Sequence, residues 1–364
     1  MSCKEQYIPE ANTNRENILV VEGFINTGQD STFIRLSRTV LVTDKEVKTP
    51  ESGAVITVES DLNEKFVLTE QEKGIYASAP LNLSPLKKYR INIKTVQGAT
   101  YQSDFVETKV SPSIDSVSYE IKQDGVQLFV STKDVTNQTR YYRWEYEDTW
   151  IFFSKLNSSF IYRNRSIIPR QPAEDIYQCW GNGASSTIYL GSSAKLKDDI
   201  IFLNPITFIP STSEKLELKY SILVKQYALT KEAYEFWQSL KKNTESLGSI
   251  FDSQPSQLTG NIHNLGNANE PVIGYISAGS ITKKRFFLSK DSLPKWEATY
   301  PFDDCYRADP VLFQDLPMYF EDENNIPTSE YLDESGKLIG YYAGARKCVD
   351  CTIRGTTKRP SFWQ

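Results

Sequence analysis

In Tyr89-Arg90-Ile91-Asn92-Ile93-Lys94, apolar side chains alternate strictly with charged or polar ones. Period two puts one face of an extended chain in a core and the other in water, which is the signature of a half-buried β-strand. The same alternation recurs on either side. Ile34 and Leu36 alternate with Arg35 and Ser37, and Ala54, Ile56 and Val58 with Val55 and Thr57; Ile18-Leu19-Val20-Val21 opens the series. Turn clusters at Gly28-Gln29-Asp30, Pro50-Glu51-Ser52-Gly53, Glu72-Lys73-Gly74 and Gln97-Gly98 separate the runs. Short strands so punctuated predict a mainly β protein whose residues 18–112 form an antiparallel sandwich of immunoglobulin-like or transthyretin-like type.

Ser111-Pro112-Ser113 reads as a hinge into a larger β-rich domain over residues 113–364. A length of 364 residues calls for two domains. Strands are expected at 127–132, 141–146 and 216–225. One amphipathic helix is expected over 231–243, with Thr230 as its cap and Ala233, Phe236, Trp237 and Leu240 on one face. Long polar loops at 253–270 and 321–327 complete the domain, and loops of that length carry function or are covered by a partner.

Composition excludes several classes. A net charge of −5 argues against a nucleic-acid surface. No apolar run approaches the roughly 20 residues of a membrane helix. His263 is the only histidine, so a histidine-rich metal site is impossible, and no Gly-x-Ser-x-Gly elbow supplies a nucleophile for it. The carboxylates at Asp303-Asp304 and Glu321-Asp322-Glu323 lack the spacing of a calcium loop and are a weak basis for glycosidase chemistry. There is no phosphate-binding or dinucleotide loop. No cofactor, metal or catalytic residue is expected.

Cysteine usage is more informative. Cys3 follows a small residue and precedes a polar run to Asn17. Such a start is what remains when a bacterial lipoprotein signal is cut, so Cys3 is the expected lipidation site and 1–17 the tether. The other four, Cys179, Cys305, Cys348 and Cys351, read as two disulfides with three possible connectivities. Half of a zinc site and a redox motif are the alternatives for Cys348-Val-Asp-Cys351. A direct 348–351 bond would leave the tail untethered, so each is expected to pair with Cys179 or Cys305. Ser31, Ser116 and Ser292 lie in Asp-Ser-Thr or Asp-Ser-hydrophobic triplets that look like acceptors for O-glycosylation of exported Bacteroidota proteins.

Several short motifs keep a specific order: Leu19-Val20-Val21-Glu22-Gly23; Phe251-Asp252-Ser253-Gln254-Pro255; Leu258-Thr259-Gly260-Asn261-Ile262; Pro271-Val272-Ile273-Gly274-Tyr275-Ile276-Ser277-Ala278; Arg285-Phe286-Phe287. Cys348-Val349-Asp350-Cys351, Arg354-Gly355 and Pro360-Ser361-Phe362-Trp363 close the chain. Together they resemble a Bacteroidota outer-membrane lipoprotein family of unknown function, typically encoded beside SusC-like, TonB-dependent barrel proteins. The resemblance implies a cell-surface, lipid-anchored, non-catalytic subunit partnered with such a barrel, and matches Cys3 to the family's lipidated cysteine. An accessory of envelope assembly (barrel insertion or surface lipoprotein export) and a surface glycan hydrolase are the alternatives. Residues 251–345, rich in aromatic side chains, are the expected partner interface, with the N-terminal sandwich as a spacer.

Overall fold

The computed structural model describes residues 17–40, 49–245, 258, 260–302, 304–305 and 308–363. The protein is mainly β, as expected. Cys3 and residues 251–257 lie outside the described residues, as do Thr259, Asp303 and Tyr306.

The first unit is built from β1 (Leu19–Asn26), β2 (Phe33–Arg38), β3 (Thr49–Pro50), β4 (Val55–Ser60), β5 (Lys65–Glu72), β6 (Ile75–Ala77), β7 (Lys88–Lys94), β8 (Thr100–Ser103) and β9 (Val106–Lys109). The alternation in β7 is realised residue by residue: Tyr89, Ile91 and Ile93 are buried, while Lys88 and Lys94 face solvent. They join Leu19, Val21, Ile34, Leu36, Ile56 and Val58 in one apolar core.

The expected two-sheet sandwich over 18–112 is corrected in two ways. The pairing closes into a barrel-like ring of eight strands, running β7-β4-β5-β6-β2-β1, then Ala278–Gly279, then β9 and back to β7. A ring also leaves fewer unpaired edges than two open sheets. In addition, residues 18–112 do not complete it. The distal segment 262–279 returns to supply Ile262–Asn264 beside β8, Val272–Ile273 beside β1, and Ala278–Gly279 between β1 and β9, parallel to both.

Glycine makes that closure possible. A Cβ on Gly279 would lie 2.2 Å from the Lys109 carbonyl oxygen, and one on Gly260 would lie 1.9 Å from that of Gly274. Gly274 itself sits at φ +146°, where a Cβ would meet the Val21 carbonyl oxygen at 2.2 Å.

The second unit holds the sandwich. A three-stranded sheet of Ile114–Lys122, Gly125–Asp134 and Asp199–Pro210 faces a five-stranded sheet. The latter comprises Gln178–Ala184, Tyr141–Phe153, Lys219–Leu229, Ile281–Ser289 and the short Tyr189–Ser192. Val126, Leu128, Val130 and Ile206 from one sheet pack on Tyr142, Trp144, Ile222 and Val224 from the other. The strand expected at 216–225 is displaced to Lys219–Leu229, because Glu214–Leu216 forms a 3-10 turn capped by the Ser213 hydroxyl.

Helix α1 (Lys231–Glu245) follows that strand, and the Ala233 N–H donates to Thr230 Oγ1 at 3.2 Å. Its Trp237 covers one face of the Arg143 guanidinium at 4.1 Å, with Tyr227 at 4.5 Å. Phe236 packs on Tyr275 of the returning segment, and Phe24 of β1 packs edge-on to Tyr227. The helix stripe is therefore part of the junction between the two units.

A third, small sheet of Asp309–Leu312, Leu338–Ala345 and Asn325–Leu332 stands near the C-terminus, beside the hairpin Phe160–Arg163/Ser166–Pro169.

Candidate functional site

Three places concentrate chemistry: the junction, the C-terminal belt and the small sheet. The junction replaces the expected hinge. Gln226 is fully buried, and its side-chain N–H groups donate to the Pro112 carbonyl (2.8 Å) and reach Ser111 Oγ and Thr132 Oγ1 (3.3 Å each). Its carbonyl oxygen accepts from Trp144 Nε1 at 2.9 Å, while Thr282 Oγ1 donates to Pro112 O at 2.9 Å. The outgoing passage at Ser111 lies beside the later one at Ser280, whose hydroxyl accepts the Ser111 N–H at 3.0 Å. A buried, satisfied network of this kind fixes geometry. The linker is a clamp, and its trace in the sequence is Gln226, a polar residue at a core-facing position of the strand in step with Ile222 and Val224.

The C-terminal belt is stapled by Cys179–Cys351 and Cys305–Cys348, so each terminal cysteine pairs with a distant partner. Asp304, Cys305 and Cys348 bring possible ligand atoms within 4.8 Å. With the two sulfurs bonded to each other and Asp304 paired with Lys347, that set offers no thiolate pair for a metal. Beyond the staples, Arg354 stacks on Phe152 at 4.3 Å and pairs with Glu214 at 2.7 Å. Arg285 stacks on Phe362 at 3.4 Å, and Trp363 packs against Phe287 and Trp180. Cys351 and Arg354 thus pack at the strand ends on the side of Phe152 and Cys179, while Phe362 and Trp363 cover the opposite face at Arg285, Phe287 and Trp180.

Among the described residues each buried carboxylate makes at least one hydrogen bond to the frame, although Asp148 Oδ1 is left without a partner. Asp148 accepts from Lys215 Nζ at 2.5 Å and from the Tyr220 hydroxyl at 3.0 Å. Asp199 accepts from Tyr142 at 2.7 Å and from the Ser193 hydroxyl. Burial, reinforced by these carboxylates, pushes the Tyr220 and Tyr142 phenols well above their ordinary range. Glu59 is held below the usual carboxylate value by the Asn92 amide, against the opposing effect of burial, with help from Arg90.

His263 sits on the strand beside β8, exposed, with Asp104 at 3.3 Å. Ser31 is half-buried at the entry to β2, Ser116 is half-buried at a bulge in Ile114–Lys122, and Ser292 is exposed in the turn Lys290–Ser292. An open cleft of about 530 Å³ lies on the barrel where β6 stops after three residues, lined by Ser31, Phe33, Val67, Thr69, Ser78 and Leu81.

The expected interface at 251–345 divides. Residues 262–279 are consumed in closing the first unit, and Tyr300 and Phe302 pack around Cys305 and Cys348. The small sheet remains outward-facing, with Leu312, Phe313, Met318 and Leu332 exposed. No helix among the described residues is long and apolar enough to cross a membrane.

No curated protein matches the chain. One solved structure, reported as the complete structure of manganese lipoxygenase of Gaeumannomyces graminis and partial structure of zonadhesin of Komagataella pastoris, is 11% identical. That alignment covers 60% of this chain and 90% of the other at a TM-score of 0.16. The BSP domain of a biofilm associated protein is 6% identical over 80% of this chain and 62% of its own, at a TM-score of 0.13. Similarity at those scores bears on neither fold nor function. A family model described as a domain of unknown function, DUF4249, matches residues 4–285, and the chain therefore belongs to that family.

Proposed function

We propose that this protein is a cell-surface, lipid-anchored outer-membrane subunit, non-catalytic in itself, that works beside a SusC-like, TonB-dependent barrel. One observation carries the reading: the interior carboxylates Asp148 and Asp199 are spent on the frame, hydrogen-bonded to Lys215 and Tyr220 and to Tyr142 and Ser193. The clamp at Gln226 supports it too, since a fixed two-unit body suits a subunit that docks by shape. Cys3, at the head of a polar tether, supports the anchor. One acyl chain binds membranes marginally and several hold firmly.

The test is affinity isolation of the full-length protein, made with its lipoprotein signal, from gently solubilised membranes. A SusC-like barrel should co-purify in near-stoichiometric amount, and Cys3→Ala should release folded protein from the membrane fraction. Recovery of assembly machinery without such a barrel, or full retention of Cys3→Ala in the outer membrane, overturns the proposal.

A further inference from the structure

We infer that the outward face of the small C-terminal sheet is a docking surface for a protein partner whose contact surface is rich in Lys and Arg around an apolar centre. Cross-strand pairs share a side of a sheet, and residues two apart in a strand share it again. Leu312 and Tyr331 both lie opposite Gly340, which places them with Leu338 and Tyr342 on one side. Leu332 pairs with Leu338 at the end of the same face. Tyr331 and Tyr342 confirm the shared side by packing edge-on at 5.1 Å. The opposite side is spoken for, since Val311 and Ala343 pack with Phe320.

At the Gly344 end this side is covered by Val349 and Leu156, but at the other end it is open: Leu312 is 41% and Leu332 46% exposed, and Tyr331, Leu338 and Tyr342 are half-buried. Contiguous apolar side chains left open in this way mark contact surfaces more often than scattered single ones do.

Charge selects the occupant. Residues 309–337 carry eight carboxylates against Lys337 alone, a stronger imbalance than the −5 of the whole chain. Glu323 and Glu334 are exposed at the two ends of the sheet. A second copy would present the same acidic field, and an anionic lipid surface would repel it as well. A Lys- and Arg-rich protein surface is attracted, and its apolar centre gains from covering Leu312 and Leu332. The sheet lies beyond the residues matched by the family model, which end at 285, so this surface belongs to the part of the chain outside that match.

The inference rests on the reading of the chain as a subunit of a complex, but not on the partner being a barrel. It is tested by placing a photo-crosslinking residue at Leu312, at Leu332 and, as a control, at Val67 in the full-length anchored protein in intact cells. Crosslinks from Leu312 and Leu332, mapped by mass spectrometry, should fall on one protein within a Lys- or Arg-rich patch. The double variant Glu323→Lys/Glu334→Lys, checked for an unchanged unfolding midpoint, should lower their yield at least about fivefold. Crosslinks to a second copy or to lipid, a yield indifferent to charge reversal, or no crosslink from either position overturn the inference. Capture of a basic protein that is not a barrel upholds it and overturns the barrel reading. Capture of a barrel from Val67 alone does the reverse.

Discussion

Trp144 and Gln226 stand directly opposite each other on neighbouring strands, and the indole N–H donates to the amide oxygen at 2.9 Å. The other end of the same amide holds Pro112 and reaches Ser111 and Thr132, so one side chain ties the sandwich core to the passage between the two units.

Gln226→Leu should therefore cost roughly 3 kcal/mol, because it leaves the buried Trp144 N–H without its acceptor and the Pro112 carbonyl with Thr282 alone. Equilibrium urea unfolding checks the size. Hydrogen exchange at Ser111 should accelerate in the variant, and an unchanged rate there would show that the network does not hold the passage.

Gly274 and Gly98 both have positive φ, yet they should respond very differently. Gly98→Ala meets open space and should cost only about 1 kcal/mol for its backbone conformation. Gly274→Ala drives a methyl group into the Val21 carbonyl and should cost about 3 kcal/mol or more. The difference between the two unfolding midpoints reads out the tight threading of the returning segment.

Removing the longer staple should loosen the belt before it unfolds the body. Cys179–Cys351 spans 172 residues, so Cys179→Ala/Cys351→Ala should cost about 2–5 kcal/mol. Trypsin should then cut after Lys358 much faster, since Trp363 loses its hold on Trp180. Non-reducing peptide mapping of the unaltered protein should return 179–351 and 305–348 as the linked pairs.

Acid should weaken the first unit through Glu59, whose folded pKa lies below its ordinary 4.5 because the Asn92 and Arg90 side chains bind the ionised form. A carboxylate with a depressed folded pKa contributes its full stability above the unfolded value and loses it as pH falls through the folded one. Glu59 should thus add nothing to the pH dependence of the urea midpoint between neutrality and about pH 5, and a downward slope below about 4.5. Glu59→Gln should lower the midpoint at neutral pH and flatten that slope.

Strong periodicity was legible and weak periodicity was not. Tyr89–Lys94 and the run from Tyr141 announced β7 and the strand Tyr141–Phe153, and the stripe from Ala233 announced α1, which runs two residues past the expected 243. Ala278–Gly279 is too short to carry any period, and its partners lie far off in sequence, so the ring it closes was invisible. The same is true of the clamp: Ser111-Pro112-Ser113 has the composition of a loose linker, and only tertiary contacts with Gln226 and Thr282 make it rigid. The surface of the small sheet was half legible. Its aromatic richness was plain, but which rings face inward depends on register, which local sequence does not encode.

Because Ala278–Gly279 sits between β1 and β9, order of synthesis acquires a meaning. A nascent chain that has grown only to residue 112 leaves β1, β8 and β9 each short of a neighbour, and its last stave is made only when residues 278–279 emerge. Until then the first unit is a template open to mispairing with any other extended chain. A gene fragment encoding 18–112 alone should accordingly aggregate, whereas one running through residue 289 carries every stave of the ring. Most strands of the second unit are made while the first is still waiting to shut, and a holdase that shields open strand edges during that interval would set how much protein is recovered.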